Sequence, residues 1–552
     1  MGLFQSKIFK FIFVAWTIFL FHSCKSGMLD PANPGAITSD DVWKDTKLIE
    51  AYVAGMYQDV PGWDYNLYNN ITDEARSNYP GQAPNNVLVG EWDETNCPMD
   101  NWAGSYQRIR RINELLARID GSPVPADRKS SIKGEAYFLR ALHYFGLAKR
   151  YGGVPIISQA QTLSEDLLVK RNSIKETFDF IVDDLENAYA MLPTDVSPSK
   201  ASKWAAKGLQ ARALLFAASP LFNTTNDPTL WSKSAAASKL IIESGKFTLH
   251  QNLKTLWQVA NKESLFEVQY KMPEKYHGLD ALVKPLRLAN NDAGQCSPTQ
   301  ELVDAFPMAN GKRITEAGSG YNAQNPYVGR DQRFYAAIAY NGSKMKGTTS
   351  GPPLKEITLE TFKGGQDFDA NPATKIYNTI TGYYRIKSVN QENTLYSYGY
   401  GSTQPWIELR YAEVLLNYAE AQNEALSNPD ASVYIAINTI RNRAGISSNI
   451  PQGSLTKEQM RELIRNERYV ELCFEEKRYF DLRRWKVATS VLHGKKGTGV
   501  FITKNADGTF TFQYLAIDPN PIVFTEKMYF IPIPFSETSK NANLLPNNPG
   551  WQ

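Results

Sequence analysis

Three stretches of this chain carry two apolar stripes each instead of one. They are "GEAYFLRALHYFGLAKRYGG" (134–153), "KWAAKGLQARALLFAASPLF" (203–222) and "PWIELRYAEVLLNYAEAQNEA" (405–425). In the first, Tyr137, Ala141, Tyr144 and Ala148 fall on one side of a helix, and Phe138, Leu142 and Phe145 on another. A helix that is apolar on two faces is packed between two neighbours. Small residues among the large ones let those neighbours approach closely, as in hairpin arrays of the tetratricopeptide type. Residues 172–192 and 430–443 supply partner helices for the first and third stretches. The motifs do not keep the tetratricopeptide period of about 34 residues, so long insertions interrupt the array. Two more helices are predicted. One is "SDDVWKDTKLIEAYVAGMYQDV", which opens on Ser39 and acids as a helix start should; the other is the amphipathic "SYQRIRRINELLARID".

The middle of the chain, about 245–400, changes character. Short strand-like runs, "SLFEVQYK" and "GYYRIKSV", alternate with loops rich in Gly, Asn, Pro and Tyr. Near the end, "MYFIPIPFSE" reads as a strand. The fold class that follows is mainly α: a tetratricopeptide-like helical-repeat scaffold with a loop-rich lobe containing short strands. Helical repeats are expected over about 38–245 and 405–490, and the loop-rich lobe over about 61–104 and 245–400. Loops this long usually carry function.

Composition narrows the classes. The chain has 552 residues, 60 Lys and Arg against 57 Asp and Glu, and 12% aromatic residues. That balance gives no support to nucleic acid as a partner. The N-terminus has Lys7 and Lys10, then an apolar run from Phe11 to Phe21, then Ser23-Cys24. The run suits a signal-peptide core and is too short to cross a bilayer. A Cys after a small residue resembles a bacterial lipobox, although Phe21 and His22 depart from the usual residues. Cleavage after residue 23 would leave residues 24–552 as the body, with a lipidated Cys24 as membrane anchor. The remaining cysteines, Cys97, Cys296 and Cys473, show no CxxC spacing. They argue against a disulfide framework and leave a single Cys97–Cys296 bridge open.

Candidate chemistry centres first on "RNERYVELCFEEKRYFDLRRW" (465–485). On one helix, Glu467, Glu471 and Glu475 would share a face, with Arg468 and Arg478 at contact spacing and Asp481 between Arg478 and Arg484. Val470, Cys473 and Phe474 give the opposite, apolar side. Charge-matched carboxylates stay ionised, whereas a general acid needs its neutral form stabilised. The segment therefore reads as a structural ion-pair network, and no residue is assigned as catalytic. The four histidines beyond the leader, His143, His250, His277 and His493, form no metal-ligand spacing, and His143 reads as a core residue. No Walker A, GxGxxG or GxSxG pattern is present. No cofactor and no metal is expected.

The segment Pro61–Trp102, "PGWDYNLYNNITDEARSNYPGQAPNNVLVGEWDETNCPMDNW", carries the binding signal. Trp63, Tyr65, Tyr68, Tyr79, Trp92 and Trp102 stand among amides, acids and Arg76. Exposed ring faces stack on sugar rings or peptide side chains, and amides, carboxylates and guanidinia supply directional hydrogen bonds. Tyr276, Tyr321 and Tyr327 in the middle lobe extend the same candidate surface. Several of these aromatics could instead cap the helical array.

Long motifs in order along nearly the whole chain resemble the SusD/RagB family of Bacteroidetes outer-membrane lipoproteins. They are the leader with Cys24 and "MLDPANPGAIT"; "YQRIRRINELL"; "GEAYFLRALHYFGLAKRYGGVPII"; "IELRYAEVLLNYAEAQNEA" with "AINTIRNRAGI"; "IRNERYVELCFEEKRYFDLRRWK"; and "YFIPIPFSE" with "NPGW". The resemblance implies non-catalytic capture of a nutrient, usually an oligosaccharide, at the cell surface of the outer membrane. It implies a SusC-like TonB-dependent transporter as partner, which the lipoprotein covers as a hinged lid. Family ligands contact the first insertion, which matches Asp73, Arg76, Trp92, Asn101 and Trp102 here. A minority of the family captures peptides, in the manner of RagB. That alternative, a surface glycosidase and a plain protein scaffold are the rival readings.

Overall fold

The computed structural model describes residues 39–63, 67–78, 83–289, 293–349, 351–368, 378–394 and 401–552. The expected leader, Cys24 and Tyr65 lie outside the described residues. Chain contacts divide the protein into two units, residues 1–52 with 121–123, and residues 53–120 with 124–552. In the first unit, the Asp45 carboxylate accepts the amides of Lys47 and Leu48 at 2.6 and 3.2 Å. It thereby caps the start of α1 (Thr46–Gln58). Trp43 packs on Tyr52 at 5.1 Å between ring centroids.

The second unit holds the helical array. Its members are α2 (Trp102–Arg118), α3 (Ala126–Tyr151), α4 (Ile174–Met191), α5 (Lys203–Ala218) and α6 (Thr229–Glu243). After the loop-rich lobe come α7 (Tyr411–Ala425), α8 (Ala431–Arg443), α9 (Lys457–Glu471) and α10 (Arg478–Arg484). Each helix from α2 to α7 packs on the next, and α9 returns to α7. The contact of α6 with α7 closes the array across the whole middle insertion.

Small residues make this spacing possible. Every residue of α5 from Ala205 to Ala218 is buried. A Cβ at Gly208 would lie 3.1 Å from Leu265, and one at Gly134 would lie 2.9 Å from Leu192. Helix starts follow sequence chemistry: Ser173 with Glu176, and Thr456 with Gln459, form reciprocal capping boxes. Leu215, Leu415, Leu416, Val433, Ile437 and Ile464 share one core of this array.

Two expectations fail locally. Residues Trp406–Arg410 are not the first turns of a helix. They form a strand, β2, paired antiparallel with β1 (Ser264–Val268), and helix α7 starts only at Tyr411. The partner strand lies far away in the sequence, so local propensity could not reveal it. The terminal "MYFIPIPFSE" is not a ladder strand. Pro532 and Pro534 have no N–H to give. The intervening amides of Ile531 and Ile533 dock instead on the Arg150 carbonyl and the Asn547 side chain, at 3.0 and 2.8 Å. The lobe has its own core, with Leu302, Phe306, Phe334, Met345, Tyr384, Phe474 and Val500. A hairpin of β3 (Thr498–Lys504) and β4 (Phe510–Ala516) packs beside it.

Candidate ligand-binding face

The acidic segment resolves first. Helix α9 ends at Glu471, and the chain then turns through Phe474 and Glu476, both at positive φ (61° and 57°), before α10. Glu475 therefore sits beyond the helix, not on its face. It meets Glu471 all the same, because Arg410 of β2 bridges them: Nη1 donates to Glu471 at 2.8 Å and Nε to Glu475 at 2.7 Å. Arg410 also holds Glu263 at 2.7 Å, Arg443 pairs with Glu471, and Lys387 donates to Glu475 at 2.7 Å. Glu467 lies between Arg333 at 2.7 Å and Arg441 at 2.9 Å. All these groups are buried. Burial alone would raise the Glu471 and Glu475 carboxyls, but the surrounding cations hold both below the usual carboxylate range. The partners inside the segment differ from helical spacing: Arg468 meets Asp481 at 3.2 Å, and Arg478 leaves the segment to bind Asp73 at 2.7 Å. The three described cysteines are free thiols. Burial holds His143 near a pKa of about 3, neutral as a core residue should be.

Most of the described aromatics of the segment turn inward, which corrects the expectation of exposed faces. Trp92 is 6% exposed and packs against Trp551 at 4.8 Å; Trp102 is 4% exposed and lies edge-on to Tyr151 at 5.1 Å. Tyr327 is 8% exposed in the lobe core, 4.4 Å from Tyr340. Arg76 is 2% exposed and clamps Asp518 at 2.8 Å. The Asp73 carboxylate is taken by Arg478, and its carbonyl accepts the Tyr469 hydroxyl at 2.7 Å. These side chains tie the first insertion to the C-terminal part of the chain. Asn101 is half-buried at the start of α2, where its amide donates to the Tyr151 hydroxyl at 3.1 Å. Tyr321 is half-buried, interacts with Tyr514 of the β4 hairpin, and lies 5.9 Å from the Arg330 guanidinium.

One group keeps rings near the surface. Trp63 is half-buried and fixed at three points. Its amide donates to the Tyr270 hydroxyl at 2.9 Å, its indole N–H to the Gln404 carbonyl at 2.9 Å, and its ring meets Trp406 edge-on at 4.9 Å. Gly62 permits this, since a Cβ there would stand 1.9 Å from the Tyr270 oxygen. His277 lies 5.5 Å from Trp63 and 4.7 Å from Tyr270. Its Nε2 faces the Gln404 carbonyl at 3.0 Å and its Nδ1 accepts the Leu279 amide at 3.3 Å, which assigns the proton to Nε2. Burial lowers its pKa to about 4, so it is neutral and fully hydrogen-bonded. Beside it, Tyr276 is 45% exposed, next to the tight Lys271–Lys275 turn with exposed Met272. Tyr276 is thus the chain neighbour of a ring in the Trp63 group, while Tyr321 and Tyr327 belong to a separate ring cluster. Sequence reading missed Tyr270 and Gln404. The signal available for Tyr270 was an aromatic at the end of a strand run, just before a Pro turn.

Among the described residues, no set of three His, Cys, Asp or Glu is placed to hold a metal, and no helix is long and apolar enough to cross a membrane. A rigid helical array that presents ring-bearing loops defines the class of a binding scaffold. Residues 262–551 match the model of the SusD family, and residues 29–215 match a family described as "Starch-binding associating with outer membrane". The chain belongs to the SusD family. It is 26% identical over 551 residues to a SusD-like protein of Formosa agariphila, covering 94% of this chain and 95% of that one. A SusD-like protein of Bacteroides fragilis superposes with a TM-score of 0.79 at 28% identity, covering 93% of this chain and 99% of the other. A second B. fragilis protein, described as a SusD-like carbohydrate binding protein, superposes at 0.75 with 23% identity over 91% of this chain and 99% of that one. At that identity it speaks to the fold alone.

Proposed function

We propose that this protein captures an oligosaccharide or polysaccharide at the outer-membrane surface and delivers it to a SusC-like TonB-dependent transporter, without chemical turnover. Cys24 would carry the lipid that anchors it. The observation that carries the reading is the exposed Tyr276 ring, one residue before His277 of the fixed Trp63–Tyr270–His277 group. Aromatic faces bind the apolar faces of sugars, and rings pinned by hydrogen bonds lose little entropy on contact. Affinity would be modest, because sugar hydroxyls must shed water. Glu471 and Glu475 of the acidic segment are held ionised and buried by cations, which supports a non-catalytic role for that segment. The description of one family model as starch-binding points to the same ligand class. Tyr65, Asn101 and Tyr321 remain candidate contacts.

The test is a panel titration of neutral and acidic oligosaccharides, maltoheptaose among them, against the wild type and Tyr276→Ala. Binding by the wild type that weakens in the variant supports the reading. A panel in which nothing binds, with slow or rapid product release from any glycan, would contradict it. Co-purification of the transporter with the tagged protein tests the partner.

A further inference from the structure

Around the end of α3 the charge balance differs from the rest of the core. Lys149 and Arg150, both half-buried, close that helix, and Arg483 of α10 packs under them. None of the three forms an ion pair within 4 Å among the described residues. Arg150 spends its hydrogen bonds on the Tyr68 hydroxyl (2.7 and 3.0 Å) and the Gly146 carbonyl (2.8 Å). Arg483 donates to the carbonyls of Tyr529, Lys149 and Arg150. The Lys149 ammonium faces the Phe480 ring at 3.9 Å, with no hydrogen-bond acceptor among the described residues.

The carboxylates in reach are committed. Glu408 receives the Trp406 indole N–H at 2.8 Å, pairs with Arg212, and lies 3.7 Å from Lys477. Those cations hold it at about 2 against the opposing effect of burial. Glu476 adds one further negative charge near Arg150. Burial, and then the neighbouring Arg150, push the Lys149 ammonium well below its usual pKa. Glu408 also acts on Lys149, but it is shared with Lys477 and Arg212, so cations outnumber carboxylates here. A partly buried excess of positive charge is costly, and an oxyanion would relieve that cost.

The place of this patch gives it meaning. Lys477 stands 5.9 Å from the Trp406 ring, and Trp406 touches Trp63 at 4.9 Å. The cations therefore continue from the ring platform. We propose that Lys149, supported by the field of Arg150, Lys477 and Arg483, binds an oxyanion, which in the setting of capture is a sulfate ester or carboxylate on the glycan. The assignment of the anion to a glycan rests on the capture reading above.

The experiment titrates wild type, Lys149→Met and Lys149→Arg with three probes at matched ionic strength: maltoheptaose, an oligogalacturonate and a sulfated galactan oligosaccharide. Thermal unfolding in sodium sulfate against sodium chloride runs beside it. At least one acidic probe should bind the wild type more tightly than maltoheptaose. Lys149→Met should weaken that probe about tenfold, the effect of one charge-assisted hydrogen bond, and leave the neutral one unchanged. Lys149→Arg should restore most of the loss. Acidic probes that bind the wild type no more tightly than neutral ones overturn the proposal while capture stands, and that comparison needs no variant. So does an unchanged acidic titration in Lys149→Met. If no oligosaccharide binds, yet sulfate raises the melting temperature of the wild type and not of Lys149→Met, the anion site stands and the capture reading falls. If neither happens, both fall.

Discussion

The Arg410–Glu471 brace and the Trp63–Tyr276 face use polar chemistry in opposite ways. In the brace, each charge is buried and met by an opposite one within the chain. On the ring face, backbone and side-chain hydrogen bonds fix Trp63, and the Tyr276 ring is left 45% exposed. The contrast separates what holds the protein together from what it can offer a ligand. A richly charged segment in a sequence is weak evidence for chemistry when its counter-charges arrive from elsewhere in the fold.

The comparison breaks most severely at Arg410. Arg410→Met would take one cationic partner from each of three buried carboxylates, Glu263, Glu471 and Glu475, and should cost about 3–5 kcal/mol, read by urea unfolding. A change under 1 kcal/mol would mean that Arg443 and Lys387 carry the brace without it. Trp102→Ala tests the inward reading of the first insertion. It should lower stability by about 3 kcal/mol through the cavity it leaves, while the folded fraction keeps its glycan affinity. Lost affinity with intact stability would return Trp102 to the binding face.

Glu74 sharpens the electrostatic side. It is buried, accepts the Phe474 amide at 3.1 Å through one oxygen, and leaves the other without a partner. Burial pushes its pKa up to about 8, against which Arg478 and Lys387 act only in part. A carboxyl raised in the folded state binds its proton more tightly there than in the unfolded chain. Its contribution to stability is therefore full below the unfolded value and is lost as pH rises toward 8. Glu74→Gln keeps the accepting oxygen and removes the titration. It should raise the melting temperature at pH 8 and change little at pH 4.5. Equal shifts at both pH values would contradict a neutral Glu74.

Helices were the legible part of the sequence. The double stripes at 134–153 and 203–222 mark α3 and α5 because packing on both sides is written into local spacing. The strand at Trp406–Arg410 was not legible, since its identity depends on Ser264–Val268 as partner. The binding face was only half legible. Tyr276 and Trp63 were recognised as rings, but burial of Trp92 depends on Trp551 near the far end of the chain, and fixation of Trp63 depends on Tyr270 and Gln404. The composition of the brace could be read in advance; its partners could not, because the helix stops before Glu475.

The most direct measurement is calorimetric titration of Tyr276→Ala with whichever oligosaccharide binds the wild type, alongside its thermal unfolding. The account predicts affinity lower by about 1–2 kcal/mol with an unchanged melting temperature. An unchanged affinity would contradict the claim that recognition rests on this exposed ring.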